Sequence, residues 1–360
     1  MDSPTDQRVS VVIPCHSQRR WPQLVAAVES VLAQRPRPLE LVVVVDRNQE
    51  LFDQVKRRWA DVTVLANNLR AGASGNRNTG IRHTRTPYIA LLDDDARARP
   101  GWLAAMLAPL DDPTVIGTGS TILPAWETTR PTWFPDELLW TVVSTSHTAT
   151  DCITVRNVWS ASMALRRDAF DAVGGFRLGF GKDGNRSRPE DTDLCLRMSL
   201  ATSGRWVHAP GAVVDHAIPS DRMTIRSVLV RCYNEGRGKV ELARLTGDRR
   251  FFGLERHYMS AEVPRGVVRE LSHMVRYGRV SGGARAGVLL LGVGMAATGA
   301  AAELFRPAVG GGGGFLALTH TGTTTPSFRV PLQAESRDLP SRGDLDSCPD
   351  VAEPSGVLPR

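Results

Sequence analysis

The 360-residue chain reads as an α/β protein: a mostly parallel sheet flanked by helices, followed by a helical C-terminal extension. Two observations predict this class. Up to Asp95, short apolar and β-branched runs alternate with segments of helical period, the pattern of parallel strands joined by right-handed crossovers. The residues closing those runs, Pro14-Cys15-His16, Asp46 and Asp93-Asp94-Asp95, are polar and reactive, as expected where open sheets bind ligands beyond their strand ends.

The elements follow in order. Residues 9–13 form a short β-branched run ended by Pro14 and predict a buried first strand. Trp21, Leu24, Val25, Val28, Val31 and Leu32 then share one helical face, with Pro22 in the first turn. Residues 39–45 predict a second strand, 52–59 a helix, 62–66 a third strand and 73–84 a helix leading to a fourth strand at 88–92. Residues 102–110 read as a helix and 115–122 as a strand, followed by an irregular region over 124–156. Its Trp126, Trp133, Phe134 and Trp140 suit loop anchors better than stacking platforms for a sugar ring. A strand is expected at 158–165, a short helix at 167–173, a turn at Gly174-Gly175-Phe176 and a polar loop at 179–189 able to close over a ligand. The run Glu190-Asp191-Thr192-Asp193-Leu194 opens a helix, and 206–210 and 213–216 read as edge strands.

The chemistry concentrates in the carboxylates. Side chains alternate along an extended segment, so Asp93 and Asp95 can share one side while Asp94 faces away. Such a pair makes a hard-oxygen site for Mg²⁺ or Mn²⁺, the ions that accompany a diphosphate. Acidic residues also cap helices favourably, which is the structural explanation for Glu190, Asp191 and Asp193.

Composition excludes several classes. Five scattered cysteines without a CxxC pair argue against a disulfide frame or a zinc site. No glycine-rich loop follows the first strand, which argues against a dinucleotide oxidoreductase or a nucleotidylyltransferase. The net charge of +6 is concentrated between Asp221 and Arg285, where fourteen Lys/Arg against seven Asp/Glu leave +7. No zinc-finger, RNP or helix-turn-helix pattern accompanies it, so no nucleic-acid partner is expected. The first eight residues are polar and the apolar run after them is too short for a signal peptide, so the expected location is cytoplasmic, or the inner face of the plasma membrane.

Taken in order, Val9-Ser10-Val11-Val12-Ile13-Pro14, the strand ending at Asp46, Gly72-Ala73-Ser74-Gly75-Asn76-Arg77-Asn78-Thr79-Gly80-Ile81, the strand ending at Asp95 with Gly101-Trp102-Leu103, Gly174-Gly175-Phe176 and Glu190-Asp191-Thr192-Asp193-Leu194 resemble family 2 glycosyltransferases of the GT-A fold, bacterial type. The resemblance covers roughly residues 8–217. It implies a metal-dependent, inverting transfer from a nucleotide-diphosphate sugar of UDP, dTDP or GDP type to a hydroxyl on a glycan, lipid or metabolite, in cell-surface polysaccharide, glycolipid or secondary-metabolite glycosylation. It also implies a set of roles. Pro14 and Cys15 lie against the base, Asp46 bonds the nucleoside, Arg77 and Asn78 hold nucleotide, Asp93 contacts the ribose with Asp94 beside it, and Asp95 and His216 hold Mg²⁺ or Mn²⁺. Asp191 is the general base, and Glu190 orients the acceptor hydroxyl. One departure is Cys15-His16-Ser17 where a Thr-Tyr-Asn type sequence is more usual, which leaves base selectivity open. The alternative function is a catalytically degenerate sugar-nucleotide-binding or scaffold protein.

The expected organisation is a nucleotide-sugar-binding and catalytic domain over 1–220, a basic helical accessory region over 221–283, a marginal hydrophobic helix over 284–304 and a disordered tail over 305–360. Residues 286–302 carry no charge, near the lower length limit for a membrane span. Arginines 265, 269, 276, 279 and 285 precede them, which would keep the catalytic domain on the cytoplasmic side. Within the basic region, Arg237 and Lys239 are expected to border substrate phosphates, with a solvated helical face as the alternative.

Overall fold

A computed structural model describes residues 8–142, 151–183, 186–246 and 253–306 of the chain. The first strand, β1 (Val9–Cys15), is followed by α1 (Trp21–Leu32), β2 (Glu40–Val45), α2 (Gln49–Arg58), β3 (Thr63–Ala66), α3 (Ala73–His83) and β4 (Tyr88–Leu92). Of these strands β1, β2 and β4 are buried on both faces, which is why they read as unbroken apolar runs. In β1, Val9, Val11, Ile13 and Cys15 join one core layer while Val12 joins the other; in β2, Leu41, Val43 and Val45 oppose Val42 and Val44 in the same way. The helix α2 starts where Asn48 accepts a hydrogen bond from the Leu51 amide at 2.9 Å.

After β4 the chain makes a tight turn into β5 (Ala96–Ala98), then α4 (Trp102–Leu107), β6 (Val115–Trp126), β7 (Ile153–Val155), β8 (Ser162–Arg166), α5 (Arg167–Ala172), the hairpin of β9 (Gly181–Asp183) and β10 (Arg186–Arg188), α6 (Glu190–Thr202) and β11 (Arg205–Ile218). The main sheet runs β3-β2-β1-β4-β8-β6-β11-β5, with β7 also paired to β11. Two expectations are corrected here. The sheet is mixed rather than mostly parallel: β1 to β4 pair in parallel, but β8 inserts antiparallel between β4 and β6. The two edge strands expected at 206–210 and 213–216 are one 14-residue strand with an irregularity between Ala209 and Val213, parallel to β6 on one side and antiparallel to β5 and β7 on the other. Nor is this strand an exposed edge there: His208 and His216 are 2% exposed.

The C-terminal helices are α7 (Ile225–Thr246), α8 (Gly253–His257), α9 (Val263–Tyr277) and α10 (Val280–Leu304), with a π-helical turn at Tyr258–Glu262 between α8 and α9. The described residues up to Leu304 form one compact unit, so the accessory helices belong with the sheet domain. A third apolar core joins the aromatic loop to these helices: Phe134, Leu138 and Val142 pack with Val228, Cys232, Val288 and Leu289, backed by Trp126, Trp133 and Trp140. The tryptophans are therefore loop anchors. The helices α7 and α10 meet through glycine: a Cβ on Gly236 would lie 1.9 Å from the Ala296 carbonyl, and one on Gly299 2.0 Å from that of Tyr233. The tail expected to be disordered lies outside the described residues from Pro307 onward, as does part of the loop over 124–156.

Candidate active site

The three aspartates close β4, and the backbone fixes them on two sides. Asp93 donates its amide to the Ala161 carbonyl at 3.0 Å, and the Asp95 carbonyl accepts from Ala217 of β11 at 2.8 Å. The pairing of β5 with β11 places His216 opposite Ala96, so a histidine far away in sequence arrives beside the acidic turn. His216 Nε2 lies 3.1 Å from Asp95 Oδ1. One ligand-capable atom from each of Asp93, Asp95 and His216 falls within 4.8 Å of the others. Asp94 turns toward Arg20, whose guanidinium sits 2.6 Å from Asp94 and 3.1 Å from Asp95.

The glycine-flanked helix α3 supplies the link to the second carboxylate group. Gly75 lets α3 approach the preceding loop, since a Cβ there would fall 1.9 Å from the Arg70 carbonyl. Two residues on, the Arg77 side chain is 5% exposed and reaches Asp93 at 2.7 Å and Glu190 at 3.4 Å, with its guanidinium 5.7 Å from the Phe176 ring centre. A single buried cation thus ties the end of β4 to the start of α6. Asp191, also buried, accepts hydrogen bonds from the side chain and backbone of Ser160. Its Oδ1 is buried with no hydrogen-bond partner among the described residues.

These environments set the charges apart. Burial, reinforced by Asp191, pushes Glu190 up to about 8 despite Arg77. Burial also raises Asp191, opposed by Arg77 and Ser160. Around β4, burial pushes Asp94 up to about 7 against the pull of Arg20. At Asp95 burial is outweighed, first by His216 and then by Arg20 and Arg222, which hold its carboxyl below the usual carboxylate range. Arg77 keeps its charge: burial works against it, but Asp93, Asp191 and Glu190 together hold it above its ordinary value.

The other residues singled out in the sequence divide into two groups. Pro14 and Cys15 end β1 at the same rim, Pro14 half-buried and Cys15 buried; burial, with Asp94 and Asp46 nearby, raises the Cys15 thiol well above its ordinary value. Asp46 ends β2 and holds the next loop, accepting from Asn67 Nδ2 and the Gly72 amide, both at 2.8 Å. Asn78 does not reach the cleft. Its amide donates to the Phe176 carbonyl at 2.7 Å and accepts from the Phe176 amide at 2.9 Å, pinning the Gly174-Gly175-Phe176 turn to α3. Asp193 is the helix-stabilising charge allowed for above, paired with Arg197 at 2.7 Å and Arg177 at 3.3 Å. Nor do Arg237 and Lys239 border the cluster: Arg237 binds Glu303 at 3.0 Å, and Lys239 binds Glu255 at 2.8 Å and Glu235 at 3.2 Å. Sequence reasoning missed Arg20, Ser160 and Arg222, the last 3.8 Å from Asp95. None stands in a recognisable motif.

Comparison with known proteins agrees with this geometry. Residues 10–174 match the family described as Glycosyl transferase family 2. The chain is 31% identical over 238 residues to a glucosyl-dolichyl phosphate glucuronosyltransferase of Haloferax volcanii, covering 64% of this chain and 76% of that one. It is 30% identical over 225 residues to a pre-mycofactocin glycosyltransferase of Mycobacterium tuberculosis, covering 59% of this chain but 43% of the relative. Among solved structures, a mannosyltransferase from Pyrobaculum calidifontis in complex with GDP-Man and Mn²⁺ superposes with a TM-score of 0.53 at 18% identity, over 83% of this chain and 87% of that one, which fixes the shared GT-A fold. With three quarters of a curated relative's length matched and the motif order intact, the chain belongs to glycosyl transferase family 2 and is a glycosyltransferase.

Proposed function

We propose that this protein transfers a sugar, with inversion, from a nucleotide-diphosphate sugar of UDP, dTDP or GDP type to an acceptor hydroxyl, with Asp191 as the base. The observation that carries this reading is the partnerless, buried Oδ1 of Asp191, held by Ser160 on its other side and tied through Glu190 and Arg77 to the carboxylates ending β4. A base for inverting transfer needs an oxygen free to take the hydroxyl proton as the new bond forms. Glu190, raised to about 8, retains a proton at neutral pH and can donate a hydrogen bond to the acceptor, so the adjacent carboxyls divide into donor and base.

Asp93, Asp95 and His216 fit a divalent cation. Two carboxylates and an imidazole suit Mg²⁺ or Mn²⁺, and the buried Nδ1 of His216 has no partner among the described residues. When bound, such an ion would neutralise charge on the departing diphosphate. Arg20 fixes the orientation of Asp94 and Asp95, and Asp46, Pro14 and Cys15 lie where the nucleoside is expected.

Membrane association at the cytoplasmic face, with a lipid-linked acceptor, is the setting we favour. Supporting it, α10 is long and apolar enough to cross a membrane, with 28% of its most apolar stretch buried. Val268, Leu271 and Val275 of α9 and Leu290 and Leu291 of α10 are exposed near Arg265, Arg269, Arg276 and Arg279. The Haloferax relative's name also carries a dolichyl phosphate.

The test is turnover of a nucleotide-sugar panel with Mn²⁺ by the wild type and Asp191→Asn. A fall of about 10²–10⁴-fold in kcat with donor affinity kept is expected. An unchanged rate would remove Asp191 as base.

A further inference from the structure

Arg231 is a cation near the carboxylate cluster that has no ion pair among the described residues. It lies on α7, half-buried, and makes no hydrogen bond or ion pair with any described residue. Its neighbours place it at the site. Gly238, seven residues on and hence on the same helical face, packs against Pro189, the residue before Glu190, with a Cβ there falling 2.9 Å from the proline ring. The charges acting on Arg231 come from Arg222, Glu235 and Glu190. Arg222 stands 3.8 Å from Asp95, and Glu235 is already paired to Lys239 at 3.2 Å.

Arg231 and Arg222 thus stand close enough to repel each other, with Glu190 and Asp95 as the neighbouring carboxylates. Burial, followed by Arg222, pushes the Arg231 guanidinium below its ordinary value, the reverse of Arg77, whose carboxylates hold it charged. A half-buried cation beside a like charge is costly unless an anion completes the group. The surrounding basic residues of α7 do not share this property, because Arg237 and Lys239 are neutralised by Glu303 and Glu255. A guanidinium pair with open donors matches the oxygens of a phosphoryl group.

We propose that Arg231 and Arg222 form a phosphoryl-binding subsite on the α7 side of the active site, taking either the diphosphate of the donor or a phosphate carried by the acceptor. The proposal rests on the glycosyltransfer reading for its site but not on Asp191 being the base. Binding to the full-length protein is measured by titration calorimetry with UDP and GDP, each with Mn²⁺, and separately with octyl phosphate. The variants are Arg231→Gln, Arg231→Lys and Asp95→Asn, each checked for an unchanged melting temperature. Loss of one guanidinium from the subsite is expected to weaken its ligand about tenfold or more, with Arg231→Lys recovering part of the loss. A loss confined to the nucleoside diphosphate assigns the subsite to the donor; a loss confined to octyl phosphate assigns it to the acceptor. If nucleoside diphosphate binds with dependence on Asp95 while Arg231→Gln changes neither affinity, the subsite is overturned and the transferase reading stands. If the wild type binds neither probe, both fall.

Discussion

At the residue scale, Arg77 is the residue on which the site depends most. It is 5% exposed and serves two carboxylates on different elements, and its Nε has no partner. Replacing it with Met would leave Asp93 without its counterion and Glu190 without its hydrogen-bond donor in a mostly buried setting. Breaking a buried pair from one side costs about 3–5 kcal/mol. Urea unfolding of Arg77→Met is expected to show a loss of that size, well beyond that of an exposed Arg→Met control such as Arg265→Met. Glu190 gives a pH dependence. With its carboxyl raised to about 8, the folded chain holds a proton there that the unfolded chain releases near pH 4–5. The unfolded state therefore binds fewer protons across that window, and stability falls as pH rises from about 4.5 to 8. Glu190→Gln should flatten this slope in metal-free protein; an unaltered slope would place the titration elsewhere.

At the element scale, the legible parts of the sequence were those governed by short-range chemistry. The apolar runs of β1, β2 and β4 stop on polar residues, and those residues mark the rim where Asp46, Asp93 and Asp95 stand. The acidic start of α6 was equally visible, and Asp191 and Glu190 are brought to the same cluster. What escaped was pairing between distant segments. Nothing local to residues 162–166 says that β8 runs antiparallel between β4 and β6, and Pro210-Gly211 interrupts the apolar pattern of β11 without ending the strand. Asn78 misled for a related reason: a polar residue on a glycine-flanked helix reads as ligand-facing, whereas its partner is a backbone segment 98 residues further on. The α7–α10 crossing carries its own prediction. Because a side chain at Gly299 would meet the Tyr233 carbonyl at 2.0 Å, Gly299→Val should force the helices apart. Overpacking costs about 1–3 kcal/mol, read as a melting-temperature fall of several degrees. The open Gly294, with nothing within 4 Å of an added Cβ, should accept alanine without loss.

At the scale of the whole molecule, the helical region is built into the catalytic unit. Salt bridges from Arg156 and Lys239 converge on Glu255, holding it at about 2 against burial, and Arg188 of the β9–β10 hairpin binds Glu241 of α7. The β9–β10 hairpin and the accessory helices are therefore coupled. If α9 and α10 also rest on a membrane, the full chain should float with vesicles containing anionic lipid. Binding should weaken as salt is raised, and Val275→Glu with Leu291→Glu should reduce it strongly; flotation indifferent to both changes would argue for a different surface.

The strand β11 has a consequence for how this enzyme can be divided. The segment matching the family ends at residue 174, yet Glu190, Asp191 and His216 all lie beyond it, and β11 is the parallel partner of β6. A truncation at that boundary would keep the rim formed by β1, β2 and β4 but discard the proposed base and the imidazole of His216 and strip one side of β6. Exchange of donor preference between relatives is therefore best attempted by grafting within residues 10–174, whereas chimaeras meant to remain active must inherit β11 together with α6, the helix that precedes it.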